Sequence, residues 1–214
     1  GVEELSKKSK TLPFSAIAHQ LGYPKVSDVN HNPLRLLAEM PLPIYITTSY
    51  HDFVEVALSQ TGRKKPVSEI FYWDDTLYPI PSIWDREPGY RPTPERPLVY
   101  HLYGLDKYPE SLVLTEDDYL DCLERLTMLP YLVNSSNNNS SDANPQNNKG
   151  ALPAPIKIAV AGRSLLLLGY NIYDWDFRVL FRGLIQSTRD ARVGNTNIPR
   201  SISIQLPPQT STID

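Results

Sequence analysis

At 214 residues the chain is long enough for one large domain with a real core, and its 41% hydrophobic and 21% charged residues match ordinary globular usage. That balance excludes a wholly disordered chain, and the longest apolar run, residues 165–168, is far too short to cross a membrane. A net charge of −3, with Arg63-Lys64-Lys65 as the only basic cluster, excludes the electrostatic footprint that nucleic acid requires.

Residues 1–10 are charged and show no usable period. Phe14, Ile17, Ala18 and Leu21 recur at helical spacing and Gly22 follows as a C-cap signal, predicting a short amphipathic helix over residues 12–21. A second helix is expected over residues 32–40, ended by Pro41. Residues 43–48 form a β-rich run, and Ser49 with Asp52 three residues on opens a helix carrying Phe53, Val54, Ala57 and Leu58 inward. A second strand is expected near residues 68–73. Residues 74–97 are dense in Pro, Tyr and Trp and read as an ordered, irregular excursion with solvent-exposed aromatics.

Residues 97–104 alternate as a strand, with Leu98, Tyr100 and Leu102 on one face and Val99, His101 and Tyr103 on the other. Residues 111–114 predict a further short strand. Thr115 caps a helix with the stripe Tyr119, Leu123 and Leu126, its acids Glu116, Asp117 and Asp118 crowded where the helix dipole favours them. Residues 134–150 are almost wholly Asn, Ser, Asp, Gln and Pro, which predicts a disordered insertion. Beyond it come a short helix over 155–162, a fully buried strand over 164–168 stopped by Gly169, and a helix over 175–186 with Phe177, Leu180, Phe181 and Leu184 inward. Ile202, Ile204 and Leu206 alternate in a last strand. Strands alternating with helices predict a single α/β domain over residues 1–214, with a mainly parallel, Rossmann-like sheet covered on both faces.

Cys122 is the sole cysteine, so there is neither a disulfide framework nor a four-cysteine zinc module, and a reducing, cytoplasmic setting is expected. The first residue is Gly1 rather than Met, so an excerpt of a longer protein is expected. The acidic run at 116–118 starts a helix and lacks the further ligands a metal needs. The sequence carries no Gly-x-Gly-x-x-Gly, no Walker loop and no Gly-x-Ser-x-Gly elbow, which removes support for hydride transfer, phosphoryl transfer and serine hydrolysis.

In open α/β sheets ligands sit beyond the carboxyl ends of the strands. Three turns there carry more small and polar groups than a helix cap requires: Thr47-Thr48-Ser49-Tyr50-His51-Asp52, His101-Leu102-Tyr103-Gly104 and Gly169-Tyr170-Asn171. With the flanking blocks Val99-Tyr100, Leu112-Val113-Leu114-Thr115-Glu116-Asp117-Asp118-Tyr119 and Asp174-Trp175-Asp176-Phe177-Arg178, they resemble the SIR2-like family from about residue 41 to 206. That family is related to sirtuin deacylases and occurs as NAD-cleaving modules in bacterial defence proteins. The resemblance implies NAD as ligand or substrate, a defence or signalling setting, and fused effector or sensor domains.

Family members read Thr-x-Asn-x-Asp at the first turn, where Ser49 and His51 stand here, with Asp52 directly after. At the second turn the family's His-Gly, whose His is the general base, reads Tyr103-Gly104. At the third, Gly169-Tyr170-Asn171 is similar to a Gly-x-Ser ribose-contacting turn with Asn in place of Ser. The resemblance therefore implies Ser49, His51 and Tyr103 at catalytic positions and Thr47, Thr48, Asp52, Gly104, Gly169, Tyr170 and Asn171 at cofactor-binding ones. The phosphate loop that opens the family's domain is absent from the sequence.

A phenol titrates near ~10 and is a poor base, whereas His51 has a suitable intrinsic pKa of about 6.5 on a different turn. His101 lies on the same strand face as Tyr103 but roughly 7 Å away. Plainer roles fit the same residues: Ser49 and Asp52 as a helix cap, His51 as a solvated side chain, Tyr103 as a wall aromatic, Gly104 and Gly169 as turn glycines. His19 and His31 receive no functional reading. Three functions stay open: an enzyme cleaving NAD to nicotinamide and ADP-ribose, a degenerate domain binding a nucleotide or protein without turnover, and a self-assembly domain using the aromatics between Trp73 and Tyr90.

Overall fold

The computed structural model describes residues 14–24, 32–136, 150–170, 174–187 and 201–204. In chain order these form α1 (Phe14–Gln20), α2 (Pro33–Glu39), β1 (Ile44–Thr47), α3 (Phe53–Gln60), β2 (Val67–Ile70), α4 (Ile83–Arg86), β3 (Leu98–His101), α5 (Glu116–Ser136), α6 (Ala154–Gly162), β4 (Leu166–Leu168), α7 (Trp175–Ser187) and β5 (Ile202–Ile204). The predictions on residues 1–13, on Asn171 and on Leu206 lie outside the described residues.

Every strand pairing among the described residues is parallel, so the fold is mixed α/β as expected. β3 runs between β1 and β2, with Tyr45 and Ser68 on either side of Val99. All four residues of β3 are buried, because helices cover both faces of this strand. Leu98, Tyr100 and Leu102 pack with Cys122, Leu123 and Leu126 of α5 and Leu180 and Leu184 of α7. Val99 and Tyr45 point the other way into a smaller core with Ala57 and Leu58 of α3 and Ala38 of α2. The alternation read from residues 97–104 separates two cores as far as His101, where β3 ends; Tyr103, read on the face of Val99, packs against the main core instead.

Local side-chain caps start two helices, of which the one at Thr115 was read from the sequence. Asn32 accepts from the Leu34 amide at 3.0 Å with Pro33 in the first turn of α2. Thr115 and Asp118 cap α5 reciprocally, hydroxyl to amide and carboxylate to amide, each at 3.1 Å.

Five expectations are corrected. Residues 112–114 form no strand: the carbonyls of Ser111 and Val113 accept from Trp73 Nε1 and the Tyr50 hydroxyl, leaving no ladder to join. Tyr72, Trp73 and Tyr90 are buried in the main core rather than exposed, which removes the basis for self-assembly through them. β4 is only half-buried and Leu168 is exposed, because its described neighbour β5 is itself exposed and adds no covering layer. α5 continues to Ser136, so residues 134–136 are helical, and Gly150 is packed so closely that a Cβ there would lie 2.1 Å from Arg125 Nε; residues 137–149 lie outside the described residues. Finally, α1 turns its polar side inward: Ser15 is buried while Phe14, Ile17 and Leu21 are 40%, 44% and 67% exposed. Polar contacts from Ser15 and His19 decide its orientation against the apolar stripe.

Candidate functional site

The first turn is held through its carbonyls. Those of Thr47, Ser49 and Tyr50 accept, in order, from the Leu102 amide at 2.9 Å, His101 Nδ1 at 3.0 Å and the Asp106 amide at 2.8 Å. Thr47 Oγ1 also accepts from the Ser49 amide at 3.0 Å. Both backbone groups of Ser49 are committed, which fixes its backbone and the direction of its Cα–Cβ bond. Neither Ser49 nor Asp52 caps α3 by a side-chain hydrogen bond, so the helix-cap reading of these two residues is corrected. The Asp52 carboxylate instead meets His19 Nε2 at 3.0 Å, and the Asp52 amide donates to Ser15 Oγ at 3.2 Å.

Beneath this turn lies a buried polar pair. His101 is fully buried; its Nε2 lies 2.7 Å from Glu55 Oε1, which also accepts from Ser68 Oγ at 2.8 Å. Because the Ser49 carbonyl can only accept, Nδ1 carries a proton, and the Nε2 to Oε1 contact holds a second one. Glu55 Oε2 is buried with no hydrogen-bond partner among the described residues.

At the second turn, Gly104 has φ +86° and a Cβ there would lie 2.1 Å from the Ser111 carbonyl oxygen. Tyr103 is half-buried and packed edge-on to Tyr119 with centroids 5.8 Å apart. Tyr119 in turn donates to the Asp176 carbonyl at 3.3 Å. Burial, reinforced by Tyr119, pushes the Tyr103 phenol well above its ordinary range, so Tyr103 is a neutral hydrogen-bonding group at physiological pH. Cys122, behind it, is pushed up to about 12 by burial and is no nucleophile.

The third turn reaches the first. The hydroxyls of Thr48 and Tyr170 are 3.1 Å apart, and Tyr170 stacks on Phe177 of α7 with centroids at 4.8 Å. Tyr170 also lies close enough to Tyr103 to raise its pKa further. Gly169 has φ +75°, is exposed, and faces open space where a Cβ would point. The Thr48 and Tyr170 hydroxyls thus meet between the first and third turns, with Tyr170 directly after the unobstructed Gly169.

The family model described as SIR2-like domain matches residues 43–207. This chain belongs to the SIR2-like domain family. No curated protein matches the chain. The SIR2-like match begins at Pro43 and spans all three turns, so the order of blocks read from the sequence marks the family, which is NAD-related.

Of the sequence-predicted residues, the SIR2-like domain brings Thr47, Thr48, Ser49, His51, Asp52, Tyr103, Gly104, Gly169 and Tyr170 onto turns joined by the contacts above, while Asn171 lies outside the described residues. His51 is half-buried and stacked on Phe53, with ring centroids 3.8 Å apart and Nδ1 buried without a partner beyond its own backbone. Burial holds the His51 imidazole below its ordinary range, opposite to the solvated side chain expected. Sequence reasoning missed Glu55 as a partner of the site. A carboxylate flanked by Val54, Ala57 and Leu58 on the inward side of a helix was the available signal, since a buried charge needs a partner. Among the described residues, no group of three or more His, Cys, Asp or Glu is placed to hold a metal, and no helix is long and apolar enough to cross a membrane.

His19 makes a pH-dependent attachment. The hydrogen bond to Asp52 raises its pKa, so α1 is held at low pH, and the contribution is lost as pH rises through that raised value. With both side chains over a third exposed, less than ~1 kcal/mol of stability rides on the pair. In an NMR titration, Asp52→Asn should bring the His19 midpoint back down towards the ordinary range; an unmoved midpoint contradicts the pairing.

Proposed function

We propose that this domain binds NAD or a closely related nucleotide across its three turns and cleaves it slowly or not at all. The observation that carries the reading is Tyr103. At the position of the family's general base stands a half-buried phenol, packed edge-on to Tyr119 and pushed by burial away from the range where it could accept a proton. The hydroxyls of Thr48, Ser49 and Tyr170 and the open Gly169 backbone would meet the ribose, and Asp52 would lie beside the nicotinamide end. When bound, NAD supplies a glycosidic bond whose cleavage releases nicotinamide and leaves ADP-ribose. The setting attached to this reading is a Rossmann-like domain of a larger defence or signalling protein, on the resemblance of its turns.

A second reading, turnover with His51 as base, is favoured by the lowered pKa of that imidazole, which keeps it neutral and able to accept a proton at pH 7. Nicotinamide release followed by chromatography separates the two. On the first reading, wild type releases almost none while NAD still binds by calorimetry, and Tyr103→His raises release. Robust release by wild type, abolished by His51→Ala and untouched by Tyr103→Phe, would replace the first reading with the second. General-base assistance is typically worth ~10² to 10⁴ in rate, so the contrast is large.

A further inference from the structure

We infer that His101, supported by Glu55, is the positioning residue of the first turn, fixing the Ser49 backbone from which its hydroxyl projects, without itself touching ligand. The inference takes its functional meaning from the reading of that turn as a nucleotide site, but the tether is measurable with no nucleotide present.

Four elements meet at this side chain. His101 ends β3, its Nδ1–H donates to the Ser49 carbonyl after β1, and its Nε2 meets Glu55 on α3, which takes the Ser68 hydroxyl from β2. The Ser49 amide is already bound to Thr47 Oγ1, so His101 supplies the second of the two bonds that fix this residue's backbone. Glu55 acts one step further back. A ring held at one nitrogen can pivot about that bond, and a ring held at both cannot. The Thr47 and Tyr50 carbonyls are held by backbone amides, so Ser49 is the one of the three whose anchor is a side chain.

The two imidazole nitrogens can be tested separately. An asparagine amide nitrogen stands where Nδ1 stands, and a glutamine amide nitrogen where Nε2 stands. His101→Asn therefore keeps the Ser49 tether and drops Glu55, while His101→Gln keeps Glu55 and drops the tether. Amide hydrogen exchange on the whole chain, read by mass spectrometry, should show residues 48–52 exchanging about tenfold faster in His101→Gln than in His101→Asn, with β2 and β3 alike in both. Equal exchange in the two variants, or a rise spread evenly over the sheet, overturns the inference. Wild type alone gives a second test that does not depend on either variant folding: nitrogen-15 spectra of the imidazoles should show His101 carrying a slowly exchanging proton on Nδ1. A bare Nδ1 overturns the tether. With NAD added, His101→Gln should bind about tenfold more weakly than His101→Asn, as expected for a lost hydrogen bond. If neither these variants nor wild type binds NAD while the exchange and imidazole results hold, the positioning role stands and the nucleotide reading falls.

Discussion

Gly104→Ala is expected to destabilise the domain by about 3 kcal/mol, through left-handed strain of ~1–2 kcal/mol and overpacking of comparable size. The cause is double. At φ +86° any Cβ is strained, and this one would meet the Ser111 carbonyl oxygen at 2.1 Å. That oxygen cannot step aside, because it accepts from Trp73 Nε1 at 2.9 Å, while the Ser111 hydroxyl accepts from the Leu105 amide at 3.1 Å. In thermal unfolding a loss of this size lowers Tm by roughly 10 °C for a chain of this length. Gly169→Ala is the matched comparison: its φ is +75° but nothing lies near the added carbon, so only the strain term applies. Equal losses at the two glycines would show that packing against Ser111 contributes nothing.

His101→Leu is expected to cost about 3 to 5 kcal/mol, the usual consequence of removing one member of a buried hydrogen-bonded polar pair. The larger part comes from Glu55, left buried with Ser68 as its one remaining donor. The sharper test is the double variant His101→Leu with Glu55→Met, which removes both polar partners while keeping volume. It should cost less than His101→Leu alone, giving a coupling of ~1–3 kcal/mol in a double-mutant cycle from urea unfolding. Additive losses would mean that the two side chains do not act as a pair.

These two positions show what was legible in sequence. Gly104 was read as a turn glycine and is one, because a strand followed by glycine is a local signal. The parallel α/β order and the three turns were legible for the same reason, since periodicity and caps are encoded over short windows. His101 was set aside on its distance from Tyr103 along one strand. Its actual partners, Ser49 and Glu55, are 52 and 46 residues away, and no local pattern encodes them. α1 failed for a related reason. Its apolar stripe predicts one buried face, yet Asp52 and Asp106 on distant turns bury Ser15 and tie down His19 at the surface instead. The exposed aromatics expected between Trp73 and Tyr90 failed because Pro-rich sequence looks like a loop, whereas its phenols and indole find buried carbonyls to bond.

The three carbonyls of the first turn all point to groups at positions 101, 102 and 106, so this part of the site has no local half. A nascent chain that has made β1 and α3 still lacks every one of those donors, and its turn remains hydrated until β3 inserts between β1 and β2. Insertion of that central strand closes two loops at once, from Ile44 to Leu98 and from Val67 to Leu98, an entropic cost that long-range parallel pairing meets only near the end of folding. Assembly of the sheet and assembly of the first turn are thereby one kinetic event, and partly folded forms of this domain carry no partly built turn.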